Sequence, residues 1–386
     1  MAVPTAIAVI VGGVMLLVAF SARSDALVGA SPSREGSTYR AAVPTTTSTS
    51  TTTTALPPAN PAFPAKIITP FQDRPDPFVL VANGGYYLFS SQSANAFSKD
   101  IPVQFSTDLE HWGPISDALP VLPAWADGTG TWAPDVRWIS GQYVMYFTAL
   151  VKGQAARTEC IGTATATTPA GPFTPSADVL VCQTDHRGSI DPRIFIGLTG
   201  AMWLDWKSDD NADVNGTSHT FIYAQRLSSD GLSLIGQSTV ILTADQLWEG
   251  RIVEAPQMVL WNDHYWLFYS GNWYNQPYYA IGVAECAGPV GPCSKPSPKP
   301  FLASNVQGQG PGESSLFSDD NGLWMVYGPW AVQYQTNIPR PVALAHIAFD
   351  TSGPYVAAFP VIGTSPRPSP RHNGVDQTHR RTAGRR

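Results

Sequence analysis

The sequence predicts an all-β protein, a five-bladed β-propeller, and three observations carry that prediction. A carboxylate beside proline, at the head of an apolar run, recurs at Asp76, Asp135, Asp191, Glu254 and, more loosely, Glu313, with spacings of 59, 56, 63 and 59 residues. Short apolar or alternating segments follow each recurrence and stop at Gly, Asn or Asp, the pattern of strands joined by tight turns. No segment carries a long helical period, and units of roughly 50 residues with three or four strands match propeller blades better than other repeat classes.

Composition agrees. Only 13% of the 386 residues are charged, too few to cover helix surfaces, while 12 Trp, 33 Gly and 35 Pro suit buried strands and turns. The net charge is −6, and residues 364–386 hold six Arg against one Asp, so the rest stands near −6 − 5 = −11. A body that acidic argues against nucleic acid as a partner.

Along the chain, Ala2 to Phe20 is uncharged and mostly apolar, with small residues following at Ser24-Asp25-Ala26 and Val28-Gly29-Ala30. Residues 1–30 therefore read as a signal peptide or, because no Lys or Arg precedes the run, as an uncleaved membrane anchor. That anchor is the one membrane contact expected. Residues 31–65 form a Thr- and Pro-rich linker with no apolar surface to bury. The propeller is assigned to residues 66–363 and a disordered basic tail to 364–386. The protein is expected to be secreted or held at the cell surface. Four cysteines in an exported chain suggest two disulfides, and their order suggests Cys160 with Cys182 and Cys286 with Cys293.

The first blade starts at Asp76-Pro77-Phe78-Val79-Leu80, turns at Asn83-Gly84-Gly85 and returns through Tyr86 to Ser90. Trp132-Ala133-Pro134-Asp135 opens the second, Asp191-Pro192 the third, Glu254-Ala255-Pro256 the fourth and Glu313-Ser314-Ser315 the fifth. First strands line the channel of a propeller, so matching positions meet near its axis. Asp76, Asp191 and Glu254 are thereby expected in one depression. Mutual repulsion there raises the pKa of at least one and leaves a proton available at neutral pH.

These motifs resemble the family 43 glycoside hydrolases, five-bladed propellers acting on arabinose- and xylose-containing glycans. The resemblance spans residues 70 to 360. It rests on Arg74-Pro75-Asp76-Pro77-Phe78 with Tyr86-Tyr87-Leu88-Phe89, on Trp132-Ala133-Pro134-Asp135-Val136, on Ser189-Ile190-Asp191-Pro192 and on Val253-Glu254-Ala255-Pro256. It implies Asp76 as general base, Glu254 as general acid and Asp191 as the residue that orients the acid and tunes its pKa, in an inverting reaction. Glu254 is expected to draw a raised pKa from its apolar neighbours and from Asp191.

Segments 203–209 and 224–232 resemble the exo-acting arabinan and arabinofuranoside branch. The expected function is hydrolysis of arabinofuranosyl linkages in arabinan or an arabinose-containing polysaccharide. A β-xylosidase or other propeller glycosidase, and a non-catalytic carbohydrate-binding propeller, stay open as alternatives.

Two departures stand out: Gly310-Pro311-Gly312-Glu313 ends in Glu where a His is usual, and Gly328 replaces a later His. No metal ligand is assigned. Trp132, Trp206, Trp273 and Trp330 are candidates for sugar stacking, with burial between blades as the alternative for each. Arg340 is a candidate for a sugar hydroxyl or for neutralising the carboxylates, and Glu313 is the fifth corner of the pocket. Asp209 to Gly216 has calcium-loop composition but lacks the required Gly and distal Glu spacing, so it reads as a solvated loop. No cofactor is expected; a structural calcium is the one ion considered.

Overall fold

The computed structural model describes residues 65–93, 99–154, 157–213, 219–305, 308–330 and 339–360. The signal or anchor at 1–30, the basic tail at 364–386 and all of the linker except residue 65 lie outside the described residues. Five antiparallel sheets follow one another around a ring. Blade 1 holds Phe78–Ala82, Gly85–Phe89, Pro102–Ser106 and Ser116–Asp117. Blade 2 holds Ala126–Ile139, Gln142–Val151, Glu159–Ala166 and Thr174–Val181. Ser189–Ile196, Met202–Ser208, Phe221–Leu227 and Leu234–Thr243 form blade 3. Val253–Trp261, His264–Gly271, Ala280–Cys286 and Cys293–Ser294 form blade 4.

Blade 5 closes the ring. Its strands Ser315–Asp319, Gly322–Tyr327 and Ala343–Asp350 come from the end of the domain, and its outer edge is completed by Ala65–Ile67 from the beginning. Ala65 pairs with Ala345 and Ile67 with Ala343, while Gly353–Ala357 covers the rest of the same edge.

The apolar runs have a simple cause. Each blade is buried on both faces, so alternate residues of one strand serve different neighbours. Phe78 and Leu80 pack toward blade 2 with Val136 and Phe147, whereas Val79 and Val81 pack toward blade 5 with Phe317 and Val326. Three further clusters fill the other seams, so each blade-to-blade boundary has its own core. Both expected disulfides are present, Cys160–Cys182 in blade 2 and Cys286–Cys293 in blade 4.

The repeat itself is a backbone feature. Asp76, Ala133, Asp191, Ala255 and Glu313 all have left-handed φ, between 48° and 57°. In blades 2, 3 and 4 they sit where the ladder slips by a bulge. The next residue is Pro77, Pro134, Pro192, Pro256 or Ser314, and a bulged position has no ladder bond for proline to lose.

This frame corrects the spacing read from sequence to 57, 58, 64 and 58. Asp135 is not the counterpart of Asp76. It lies two residues beyond the left-handed position, pairs with Arg137 at 2.7 Å and accepts the Ile194 amide at 3.1 Å, tying blade 2 to blade 3.

Candidate active site

The left-handed positions at the heads of five inner strands converge on one cavity of about 590 Å³, within the ~300–1,000 Å³ typical of ligand sites. A larger cleft of about 1050 Å³ lies at the seam of blades 1 and 5, beside Tyr86 and Trp324. Asp319 lines it, but none of Asp76, Asp191, Glu254 and Glu313 does.

At the left-handed position blades 1, 3 and 5 present Asp76, Asp191 and Glu313. Blades 2 and 4 have alanine there, and the preceding residue, Trp132 or Glu254, lines the cavity instead. The backbone amides at these positions are held in a common way. Ala133 N–H donates to Ser91 Oγ at 2.8 Å, Asp191 N–H to Thr148 Oγ1 at 3.2 Å and Glu313 N–H to Ser270 Oγ at 2.9 Å, each hydroxyl coming from the previous blade. Blade 4 departs: Ala255 N–H donates to Asp191 Oδ2 at 3.0 Å. Asp191 thus reaches under Glu254 and is fixed by its neighbour's backbone.

Asp76 accepts hydrogen bonds from Ser91 Oγ and from Arg340 Nη2, the latter at 3.0 Å. Arg340 is buried and crosses the ring seam to do this. The room comes from Gly328, where an added Cβ would lie 3.2 Å from Arg340 Cδ and 3.3 Å from its Nε.

Glu254 is 4% exposed and accepts from Lys207 Nζ at 2.8 Å. One oxygen each of Asp191, Glu254 and Glu313 lies within 4.8 Å of the others, and the cation beside them is the Lys207 ammonium. Burial pushes the Asp191 carboxyl up to about 7, with the charges of Glu254 and Asp76 adding to the rise and Lys207 opposing it. Burial raises Glu313 well above the usual carboxylate range, reinforced by Asp191, Asp76 and Glu254. For Lys207, burial favours the neutral amine, but Glu254, Asp191 and Asp209 outweigh it and raise its pKa.

Trp132, Trp273 and Trp330 line the cavity. The Arg157 guanidinium lies 5.3 Å from the Trp132 ring centroid, and Trp330 Nε1 donates to the Tyr274 carbonyl at 2.9 Å. Trp206 does not reach the site. It is 1% exposed, stacked on Tyr223, with Nε1 donating to Gln183 Oε1 at 2.7 Å. Strand alternation is the reason: Leu204 and Trp206 face the seam with blade 2, and Lys207 faces the other way, toward Glu254.

The segment read as a solvated loop is also corrected. Asp210 is buried against His186 at 3.0 Å, and Asp209 lines the cavity, its pKa pushed up to about 8 by burial and by its neighbour Glu159. Residues 214–218 of that segment are outside the described residues. Sequence reasoning missed Lys207, although a charge inside the apolar strand Met202–Ser208 is the same signal that singled out Glu254. It also missed Tyr279, whose hydroxyl donates to Glu313 Oε1 at 2.7 Å.

Residues 67–355 match the sequence profile of Glycosyl hydrolases family 43. The extracellular endo-alpha-(1->5)-L-arabinanase 2 of Bacillus subtilis is 27% identical over 64% of this chain and 54% of its own length. The chain therefore matches about half of that relative. The beta-D-galactofuranosidase xynD of Aspergillus niger is 27% identical over 76% of this chain and 83% of its own length. Among solved structures, a thermostable family-43 glycoside hydrolase superposes with a TM-score of 0.64 at 25% identity, covering 80% of this chain and 100% of that one. An exo-1,5-alpha-L-arabinanase from a bovine ruminal metagenomic library shares the fold, with a TM-score of 0.59 at 22% identity over 76% and 98% of the two chains.

Proposed function

Because this chain belongs to family 43 of the glycosyl hydrolases, enzymes that cleave with inversion, we propose that Asp76, Asp191 and Glu254 carry out that cleavage on arabinofuranosyl linkages of an arabinan or arabinose-containing polysaccharide. The observation that carries the assignment is their convergence from the heads of the inner strands of blades 1, 3 and 4 on one cavity.

Asp76 is the general base. Arg340 and Ser91 fix its two oxygens, so it takes a proton from a water without turning. Glu254 is the general acid. Lys207 holds Oε2, while Oε1 is buried without a partner and is the atom that carries the proton to the leaving oxygen. Asp191 shares that proton. Its raised pKa and its bond to Ala255 N–H let it hold hydrogen near Glu254 at neutral pH without moving the backbone. Water attacks from the side of Asp76 and the leaving group departs toward Glu254, which inverts the anomeric carbon.

Trp132, Trp273 and Trp330 supply apolar faces for sugar rings, and Arg340 Nη1, buried without a partner, supplies a donor for a hydroxyl. The arabinose assignment is supported by the relatives named for arabinan and for galactofuranose. Two disulfides support export.

Proton NMR of the first-formed product, on arabinan, aryl arabinofuranosides and aryl xylosides, tests the reading. The expected result is an inverted arabinose product, abolished in Asp76→Asn and Glu254→Gln. Retained configuration, or full activity in either variant, overturns it. Faster release from xylosides moves the substrate assignment, and tight binding without release makes the protein a lectin.

A further inference from the structure

The catalytic reading uses three carboxyls, yet the pocket holds a fourth. The geometry points to Glu313 as a permanently protonated acid that donates a hydrogen bond from Oε2 into the Asp191–Glu254 pair, a positioning residue for the proton those two share. This inference rests on the roles proposed above for Asp191 and Glu254.

The argument starts from who satisfies whom. Glu254 has an ammonium on Oε2, and Asp191 has a backbone N–H on Oδ2. Glu313 receives only the neutral phenol of Tyr279 on Oε1, and its Oε2 is buried with no partner. Of the three acids whose oxygens crowd within 4.8 Å, it is the one with the weakest support for a negative charge. With one proton shared by Asp191 and Glu254, an ionised Glu313 beside the Lys207 ammonium still leaves a net charge of −1 on buried groups, which burial disfavours. The proton that relieves this belongs on the carboxyl with the poorest donors. Once protonated, Oε2–H is a donor, and the acceptors within 4.8 Å of the Glu313 carboxyl are oxygens of Asp191 and Glu254.

Taken together, the charged and titratable groups facing Glu313 fit this assignment. Asp76 from blade 1, Asp191 from blade 3 and Glu254 from blade 4 all oppose a charge there, as does burial itself. Lys207 of blade 3 is engaged by Glu254; Arg340 of blade 5 is paired through Nη2 with Asp76 and is the one cation that favours a charge on Glu313, outnumbered by the three carboxyls that oppose it. Tyr279 of blade 4 has its own pKa raised well above normal by burial and by the same carboxylates, so it stays a donor. The sequence protects this contact: a Cβ at Gly312 would fall 1.9 Å from the Tyr279 ring. The left-handed backbone of Glu313, held by Ser270 Oγ, aims the side chain inward.

Two readouts on the full-length protein test the proposal. Infrared difference spectroscopy of the ligand-free protein at neutral pH should lose one protonated-carboxyl carbonyl band in Glu313→Gln. An unchanged set of protonated bands overturns the assignment, whatever the protein hydrolyses. In turnover, Glu313→Gln replaces one neutral donor by another, so the alkaline limb of kcat/KM should move by less than about half a pH unit. A downward move of about one unit or more would mean that a negative charge had been removed, and would overturn the proposal.

Glu313→Leu, neutral but with no donor, should lose about tenfold more kcat than Glu313→Gln at similar KM. Equal loss in the two variants overturns the donor role. Failure of the hydrolase reading is separate: it leaves the infrared result intact and shows as activity surviving in Asp76→Asn.

Discussion

Asp191 Oδ2 accepts the backbone N–H of Ala255 at 3.0 Å, the place where Ser91, Thr148 and Ser270 put a hydroxyl at other blades. One carboxylate thus does two jobs, holding a strand and sitting beside Glu254. The two are separable by substitution. Asp191→Asn keeps an oxygen for the amide and should match the wild-type thermal midpoint at pH about 4 and exceed it at neutral pH, while lowering kcat about 100-fold. Asp191→Ala leaves the buried amide unpaired and should also cost about 1–3 kcal/mol in urea unfolding.

Stability should fall as pH rises across the neutral range. Asp191 titrates at about 7 and Asp209 at about 8 in the folded protein, against an ordinary 3.8. Between those values the folded state keeps protons that the unfolded chain has released, so raising pH favours unfolding. The difference between wild type and Asp191→Asn isolates one group: it should shrink to nothing below pH about 4 and grow to a plateau above about 7. Denaturant midpoints across that window measure it.

Gly328→Ala should damage catalysis without touching a carboxylate. Its added methyl displaces Arg340, which releases one oxygen of Asp76. A tenfold to hundredfold loss of kcat, roughly, is expected for a base turned out of line. Arg340→Ala should give a similar loss, and the double variant little more, because both act through one contact.

Removing Cys160–Cys182 by paired alanine substitution should destabilise the protein by about 3 kcal/mol, since it closes the longer loop, 22 residues against 7 for Cys286–Cys293. It should also raise KM, because Glu159, beside Cys160, lines the cavity. Unfolding curves and kinetics of the two paired variants check both statements.

The fold was legible because a propeller writes its repeat into local sequence: the residue that bends left, the proline after it and the apolar run are all neighbours in the chain. The convergence of Asp76, Asp191 and Glu254 on one cavity was legible for the same reason. What the sequence hid was register and partners. Ala133 and Ala255 occupy the repeat position as silently as any alanine, so Asp135 was matched to Asp76 although it stands two residues further on. Lys207 and Tyr279 reach the carboxylates from other parts of the ring, at separations of 47 residues for Lys207–Glu254 and 34 for Tyr279–Glu313, and Arg340, expected to neutralise the carboxylates, meets Asp76 at a separation of 264. No spacing rule connects such pairs. Trp206 failed for the opposite reason: its composition suited a sugar, but strand alternation turned it into a seam.

Ring closure sets the order in which a newly made chain gains chemistry. Residues Ala65–Ile67 emerge first and wait for Ala343–Ala345, and Ile68 N–H waits for the Val342 carbonyl, 2.9 Å away in the finished ring. Arg340 is the clamp on Asp76, and it leaves the ribosome only a few residues before the strand that shuts the ring. A chain cut short before residue 340 contains Asp76, Asp191 and Glu254 but neither the clamp nor the closing strand. The last blade thus carries the contact that holds Asp76, and a copy of the domain cut before it lacks that contact.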